Sequence, residues 1–141
     1  MFETLIRDVA QRFGLGDQVE VLLSALMTAI FDERSGGMAG LLEKFRQQGL
    51  GDRVTSWLGD AAPTPIEPQQ LESVLGANTV STIAERAGIA RGTALSAAAV
   101  MLPRLIGLLT PHGEVPTGIP IEVTRYLTNF SQPTGKAADF A

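Results

Sequence analysis

Cysteine is absent from this chain, and histidine occurs once. The missing thiols exclude disulfides, cysteine nucleophiles and cysteine-ligated zinc or iron–sulfur centres, and a single histidine excludes a multi-histidine metal site. Aromatic residues are also scarce, at 6 % of the sequence. The composition therefore predicts a protein with no metal and no cofactor.

The net charge disfavours proteins that bind polyanions, and the N-terminal charges and the hydropathy disfavour secreted and membrane-spanning proteins. The chain has 11 basic and 15 acidic side chains, and this net charge of −4 repels polyanions such as nucleic acid and anionic lipid at long range. Acidic residues Glu3 and Asp8 lie where a secretory signal needs a basic start. The longest nearly apolar stretch, 21–31, is much shorter than the ~20 residues that cross a bilayer. We therefore expect a cytoplasmic location without a membrane span.

Hydrophobic residues make up 45 % of the sequence, and they recur with helical spacing almost everywhere. A chain of 141 residues fits one domain with a core that needs no covalent support. We predict an all-α, compact multi-helical single domain of repeated helix-turn-helix hairpins with Gly-capped turns. It covers 1–118, followed by a short amphipathic segment over 119–131 and a disordered tail over 132–141.

A Gly-Leu-Gly-Asp sequence occurs twice, at 14–17 and 49–52, and a looser copy lies around Gly88. Each copy predicts a tight connection, in which a glycine ends one helix, an apolar residue folds back onto it, and a cap begins the next. The residues assigned to such turns are Gly14, Gly16, Asp17, Gly49, Gly51, Asp52, Gly76 and Gly88. Phosphate binding is the functional alternative for glycine-rich turns, but no Lys-Ser or Lys-Thr pair follows these.

Two helix starts carry cap signals. Asp17 is followed three residues later by Glu20, so the pair predicts an acidic variant of the capping box. Asn78 is predicted to cap a helix over 79–87.

Three segments occur in order between residues 36 and 115: GGMAGLLEKFRQQGLGDRVTSWLG, IEPQQLESVLGANTVSTIAERAGI and MLPRLIGLLTPHGEV. In order and spacing they resemble the bacterial YidB-like family, with the best match over 35–118. The resemblance implies a small all-α domain of unknown biochemical function and supplies no catalytic residues. The chain departs from the family where Ser or Asp often opens a helix, because Glu67 precedes Pro68 and Ala90 precedes the long helix. These two helix starts are predicted to be poorly capped.

The segment 79–101 has the pattern of a helix-turn-helix. Three arginines against one glutamate give 78–110 a local charge of +2 (3 − 1), which makes it the basic part of an acidic chain. The candidate nucleic-acid contacts are Arg86, Arg91, Thr93 and Ser96. The second helix then continues mostly with alanine and offers few of the side chains that contact bases or phosphates. We favour a structural helical corner and keep a DNA-binding regulator as the alternative.

Two features favour association with another protein. The second helix is apolar on more than one side, so it is either central in the domain or covered by a partner. Trp57 is the only tryptophan, and it is either part of the core or an anchor for a partner. The candidate interface residues are Val21, Met27, Phe31 and Trp57.

Catalysis has little support in the sequence. His112 lies in a Pro-His-Gly turn, and Glu114 is the only carboxylate near it in sequence, whereas a catalytic base needs both an orienting group and a nucleophile. We predict no catalytic residues. The predicted function is a non-enzymatic association module whose partner is another copy of the chain, in a homo-oligomer, or another protein.

Overall fold

The computed structural model describes residues 2–59 and 63–131. The helices in this part of the chain are α1 (Glu3–Phe13), α2 (Gln18–Ile30), α3 (Gly37–Gln47), α4 (Gly51–Trp57), α5 (Pro68–Leu75), α6 (Ala77–Ala87), α7 (Arg91–Leu109) and α8 (Ile121–Ser131). Short 3-10 helices cover Glu33–Ser35 and Pro111–Gly113. The described residues contain no strand, so the predicted all-α class is confirmed. The tail predicted over 132–141 lies outside the described residues.

Two helices, α2 and α7, form the centre of the domain. α7 packs against α1, α2, α4, α5 and α6, while α2 packs against α1, α3, α6, α7 and α8. α7 is long and apolar enough to cross a bilayer by length and composition, yet most of it is buried inside the domain. Its apolar character is therefore explained by its position in the core.

Three helices end at the glycine turns that the repeated sequence predicts. The N–H of the apolar residue after each glycine donates to the carbonyl five residues earlier, at 2.9 Å for Leu15, 2.9 Å for Leu50 and 3.2 Å for Ile89. The glycines themselves are left-handed, with φ of 64° at Gly14, 81° at Gly49 and 69° at Gly88. Glycine accepts this conformation without the Cβ strain of other residues, so these predicted turns are confirmed.

The predicted capping box at α2 is wrong. Asp17 has φ −61° and ψ −18°, and its side chain accepts no capping hydrogen bond. A capping side chain requires an extended backbone at the cap residue, whereas Asp17 is already helical. The Gln18 side chain instead accepts a hydrogen bond from the Gly16 N–H at 3.0 Å.

The caps assigned to two other helices are also wrong, because both helices begin earlier than the sequence predicts. α4 begins at Gly51, which places Asp52 within its first turn. α6 begins at Ala77, directly after Gly76, which has a positive φ of 93°, so Asn78 is a helical residue. Gly76 does separate α5 from α6, as predicted.

The two helix starts that depart from the family pattern differ from each other. At α5 the Gln70 side chain accepts a hydrogen bond from the Glu67 N–H at 3.0 Å, and Pro68 occupies the first turn. This start is therefore better capped than predicted, since the missing Ser or Asp is compensated by Gln70 and Pro68. At α7 no side chain caps the helix at Ala90, which confirms the prediction there.

α8 docks the C-terminal segment onto the domain. Val123 is fully buried, and the Tyr126 hydroxyl donates to the Glu20 carbonyl of α2 at 3.1 Å. The Tyr126 ring also meets Phe2 edge-to-face, with ring centroids 5.7 Å apart. The amphipathic pattern over 119–131 thus produces a helix that covers α2.

Candidate functional site

Three of the four predicted interface residues lie in the core. Met27, Phe31 and Trp57 are buried, and Val21 is partly buried against the same cluster. The prediction that Met27, Phe31 and Trp57 face a partner is therefore wrong. The physical reason is the central position of α2, whose additional apolar faces are covered by α6, α7 and α8 of the same chain.

Trp57 has a defined structural role at the end of α4. Its ring packs edge-to-face on Phe45, with centroids 5.0 Å apart and an interplanar angle of 90°. Its indole N–H donates to the Thr64 carbonyl at 2.7 Å, and the Thr64 N–H donates to the Ser56 hydroxyl at 2.9 Å. Trp57 and Ser56 together hold the backbone at Thr64 against the end of α4.

The predicted nucleic-acid residues lie on the α6–α7 hairpin and differ in exposure. Arg86 is exposed, whereas Thr93 and Ser96 are only partly exposed. The Arg91 guanidinium pairs with the Glu72 carboxylate, and its Nε–H donates to the Ser81 hydroxyl at 3.2 Å. One of the candidate cations is therefore already engaged within the chain.

The burial of α7 bears on whether it can act as a recognition helix for DNA. A recognition helix must present one face to the major groove of DNA. On α7, most residues from Ala94 to Leu109 are buried against the surrounding helices. The alanines that follow Arg91 allow close packing of helices in the core, which explains why this helix is rich in alanine and poor in basic side chains.

The large hydrophobic side chains that are most exposed lie near the C-terminal end of the described chain. They are Leu108 at 37 %, Ile119 at 48 % and Ile121 at 60 %. Leu108 lines a groove of about 450 Å³, and so does Pro120, which lies between the two isoleucines in sequence. Leu108, Ile119 and Ile121, together with this groove, are called the C-terminal apolar surface.

The groove has a mixed lining. Val115 and Pro116 add apolar surface, and Glu114 and Glu122 add two carboxylates. No cation lines this groove among the described residues. Sequence periodicity could not find this surface, because a turn and a proline-rich segment separate Leu108 from Ile121. The repeated prolines at 116 and 120 are the one signal that this segment differs from an ordinary helical connection.

No group of three or more histidine, aspartate or glutamate side chains in the described part of the chain is close enough to hold a metal ion. His112 lies in the 3-10 helix Pro111–Gly113, as the predicted turn requires.

Comparison with known proteins places this fold among uncharacterised relatives. The model of the YidB-like protein family matches residues 7–118. The uncharacterized protein YidB of Escherichia coli (strain K12) is 40 % identical over 84 residues, which cover 59 % of this chain and 64 % of that relative. A solved structure of a homeodomain-like protein of unknown function from Shigella flexneri has a TM-score of 0.64 and 32 % identity. That similarity covers 88 % of this chain and 96 % of the solved chain.

Proposed function

Since the chain belongs to the YidB-like family, whose model spans most of its length, we propose that it is a non-enzymatic, cytoplasmic association module. Its partner is a second copy of the same chain, bound through the C-terminal apolar surface. The observation that carries the proposal is the exposure of Leu108, Ile119 and Ile121 in a domain whose other large apolar residues are mostly buried.

The physical support comes from the cost of leaving these side chains in water. Full burial of a Leu or Ile side chain contributes about 1.5–3 kcal/mol. Leu108, Ile119 and Ile121 are 37 %, 48 % and 60 % exposed, so each gains only about a third to three fifths of that value. In a two-fold dimer the same surface occurs on both subunits, so each side chain contributes twice. The surface is nevertheless small compared with a permanent interface, and we expect a reversible dimer that dissociates on dilution.

The two carboxylates of the groove predict how self-association depends on salt, and this dependence differs from that of nucleic-acid binding. In a two-fold dimer, Glu114 and Glu122 of one subunit approach those of the other, and this repulsion is reduced by salt. Salt also strengthens the burial of apolar surface when its ions are excluded from the protein. Self-association is therefore expected to become stronger as sulfate is added, which is the opposite of the salt dependence of nucleic-acid binding.

Sedimentation velocity over a range of protein concentrations tests the proposal. The wild-type chain is expected to shift towards the dimer as concentration rises, and the double variant Ile119→Lys/Ile121→Lys is expected to remain a monomer. The matched control is Gln11→Lys/Gln47→Lys, which adds the same charge at two exposed positions far from this surface in sequence. A wild-type chain that is monomeric at every concentration, or a dimer that both double variants weaken equally, would contradict the proposal.

A second candidate function is DNA binding by the α6–α7 hairpin. It is favoured by the likeness to a solved structure described as homeodomain-like. The burial of α7 and the pairing of Arg91 with Glu72 weigh against it. Fluorescence anisotropy with a labelled DNA duplex separates the two functions, because binding that weakens steeply with salt and is lost in Arg86→Gln would favour DNA.

A further inference from the structure

A second concave surface lies on another part of the domain, between α2, α3, α5 and α6. It is a cleft of about 250 Å³. Buried apolar side chains, among them Leu41, Val74 and Ile83, line it together with polar and charged side chains. The cations that line it are Arg34, Lys44 and Arg86, and we call this site the basic cleft.

The charges of the basic cleft are not balanced within the chain. Among the described residues, the one carboxylate that lines it is Asp32, which pairs with Arg34 through two hydrogen bonds of 3.2 and 3.1 Å between the side chains. The pKa of Asp32 is lowered mainly by the hydrogen bonds from Arg34, and the charge of Lys44 lowers it further. Asp32 therefore stays ionised and committed to Arg34.

The other two cations have no such partner. Among the residues that the structure describes, no carboxylate lies within 4.0 Å of the Lys44 ammonium or the Arg86 guanidinium. Three cations against one anion give the lining a charge of +2 (3 − 1), whereas the whole chain carries −4. A local excess of this kind attracts small anions and raises their concentration at the cleft.

The polar side chains of the lining narrow the choice of ligand. The hydroxyls of Thr28 and Thr82 donate to carbonyls of their own helices, at 2.9 and 3.0 Å. Their protons are thus already used, and Lys44 and Arg86 are the strongest hydrogen-bond donors left for a ligand. Charge-assisted hydrogen bonds of this type favour carboxylate and phosphate groups.

From these observations we infer that the basic cleft binds a small organic anion with a short apolar body. The anionic group lies between Lys44 and Arg86, and the apolar body lies against Leu41, Val74 and Ile83. A volume of about 250 Å³ admits a metabolite-sized molecule and is smaller than a site for a large cofactor. The basic cleft and the C-terminal apolar surface share no residue, so the inference does not depend on whether the chain self-associates.

The inference is tested by titrating the full-length, isotope-labelled chain with octanoate and following the backbone amide signals by NMR. Octylammonium, which has the same apolar tail and the opposite charge, is the matched probe, and phenyl phosphate tests a second anionic group. We expect shifts concentrated in α2, α3 and α6 with octanoate, a dissociation constant of about 1 mM, and no saturable shifts there with octylammonium. A larger effect of phenyl phosphate would assign the site to phosphate esters, and a larger effect of octanoate to carboxylates.

Two variants identify the groups responsible. Lys44→Gln/Arg86→Gln is expected to weaken octanoate binding about tenfold, since it removes one partly exposed and one exposed cation from the cleft. Ala29→Leu, which fills part of the cleft with the cations unchanged, is expected to abolish binding. Arg46→Gln is the control on α3, because this arginine is exposed and does not line the cleft.

Circular dichroism melting establishes that each variant is folded. The inference is overturned if octanoate produces no saturable shifts, if octylammonium binds equally well, or if Arg46→Gln weakens binding as much as the double variant.

Discussion

Replacement of Trp57 separates a residue that stabilises the core from one that binds a partner. The Trp57 side chain is only 1 % exposed, it packs on Phe45, and it donates a hydrogen bond to the Thr64 carbonyl. We predict that Trp57→Ala destabilises the isolated chain strongly and that Trp57→Phe has a smaller effect.

The magnitudes follow from these contacts. Truncation of a buried Trp to Ala costs about 3–5 kcal/mol, which is a large part of the ~5–15 kcal/mol that stabilises a typical domain. Trp57→Phe keeps one ring against Phe45. It loses a hydrogen bond worth about 1 kcal/mol and leaves a space that costs about 1 kcal/mol more, so we expect about 2 kcal/mol.

Urea unfolding followed by far-ultraviolet circular dichroism measures both values, because the tryptophan signal is absent from the variants. Gln47→Ala is a surface control, expected to change the free energy of unfolding by less than about 0.5 kcal/mol. If Trp57→Ala left the unfolding midpoint unchanged but abolished self-association, Trp57 would be an interface residue and its assignment to the core would be refuted.

The remaining predictions concern backbone conformation and α8. Gly88→Ala should destabilise the chain by about 1 kcal/mol in urea unfolding, since φ is 69° there. Gly92 lies in α7 with open space around it, so Gly92→Ala should be neutral or stabilise the chain by up to ~1 kcal/mol. Equal effects of the two substitutions on the free energy of unfolding would contradict the argument. Gly113→Ala should lower the free energy of unfolding more than Gly88→Ala does, because φ is 74° at Gly113 and an added Cβ would also lie 2.8 Å from the Leu58 carbonyl oxygen. A smaller loss of stability would show that this contact relaxes easily. Tyr126→Phe should cost about 1 kcal/mol near neutral pH through the hydrogen bond to α2. Burial raises the pKa of the Tyr126 hydroxyl, so its contribution to the free energy of unfolding is fully present below the unfolded pKa of about 10 and is lost as pH rises towards the folded value. Above pH ~10 the wild type should therefore lose stability faster than Tyr126→Phe, and an equal decline of the two proteins would contradict this.

The sequence predicts helix ends better than helix starts in this protein. A glycine followed by an apolar residue determines where α1, α3 and α6 end, because the left-handed conformation and the folded-back hydrogen bond are both local. The starts depend on backbone angles that the cap residue adopts in the fold. Asp17 and Asn78 have suitable side chains, but both are already helical and do not cap.

The candidate surfaces were harder to predict, for reasons of tertiary packing. Apolar residues on more than one side of α2 indicate either a central helix or a partner, and only the positions of α6, α7 and α8 show that it is central. The basic cleft combines Arg34, Lys44 and Arg86 from three separate parts of the chain, and no local pattern brings them together. The C-terminal apolar surface lies partly outside any helix and therefore has no periodicity.

Hydrogen–deuterium exchange of the wild-type chain at low and high protein concentration tests the central claim most directly. If two copies associate through the C-terminal apolar surface, protection at high concentration should increase in peptides covering 105–123, and it should not increase in α3 or α6. Increased protection in α6 and α7 without a change at 119–121, or identical exchange throughout at both concentrations, would contradict the proposed mode of association.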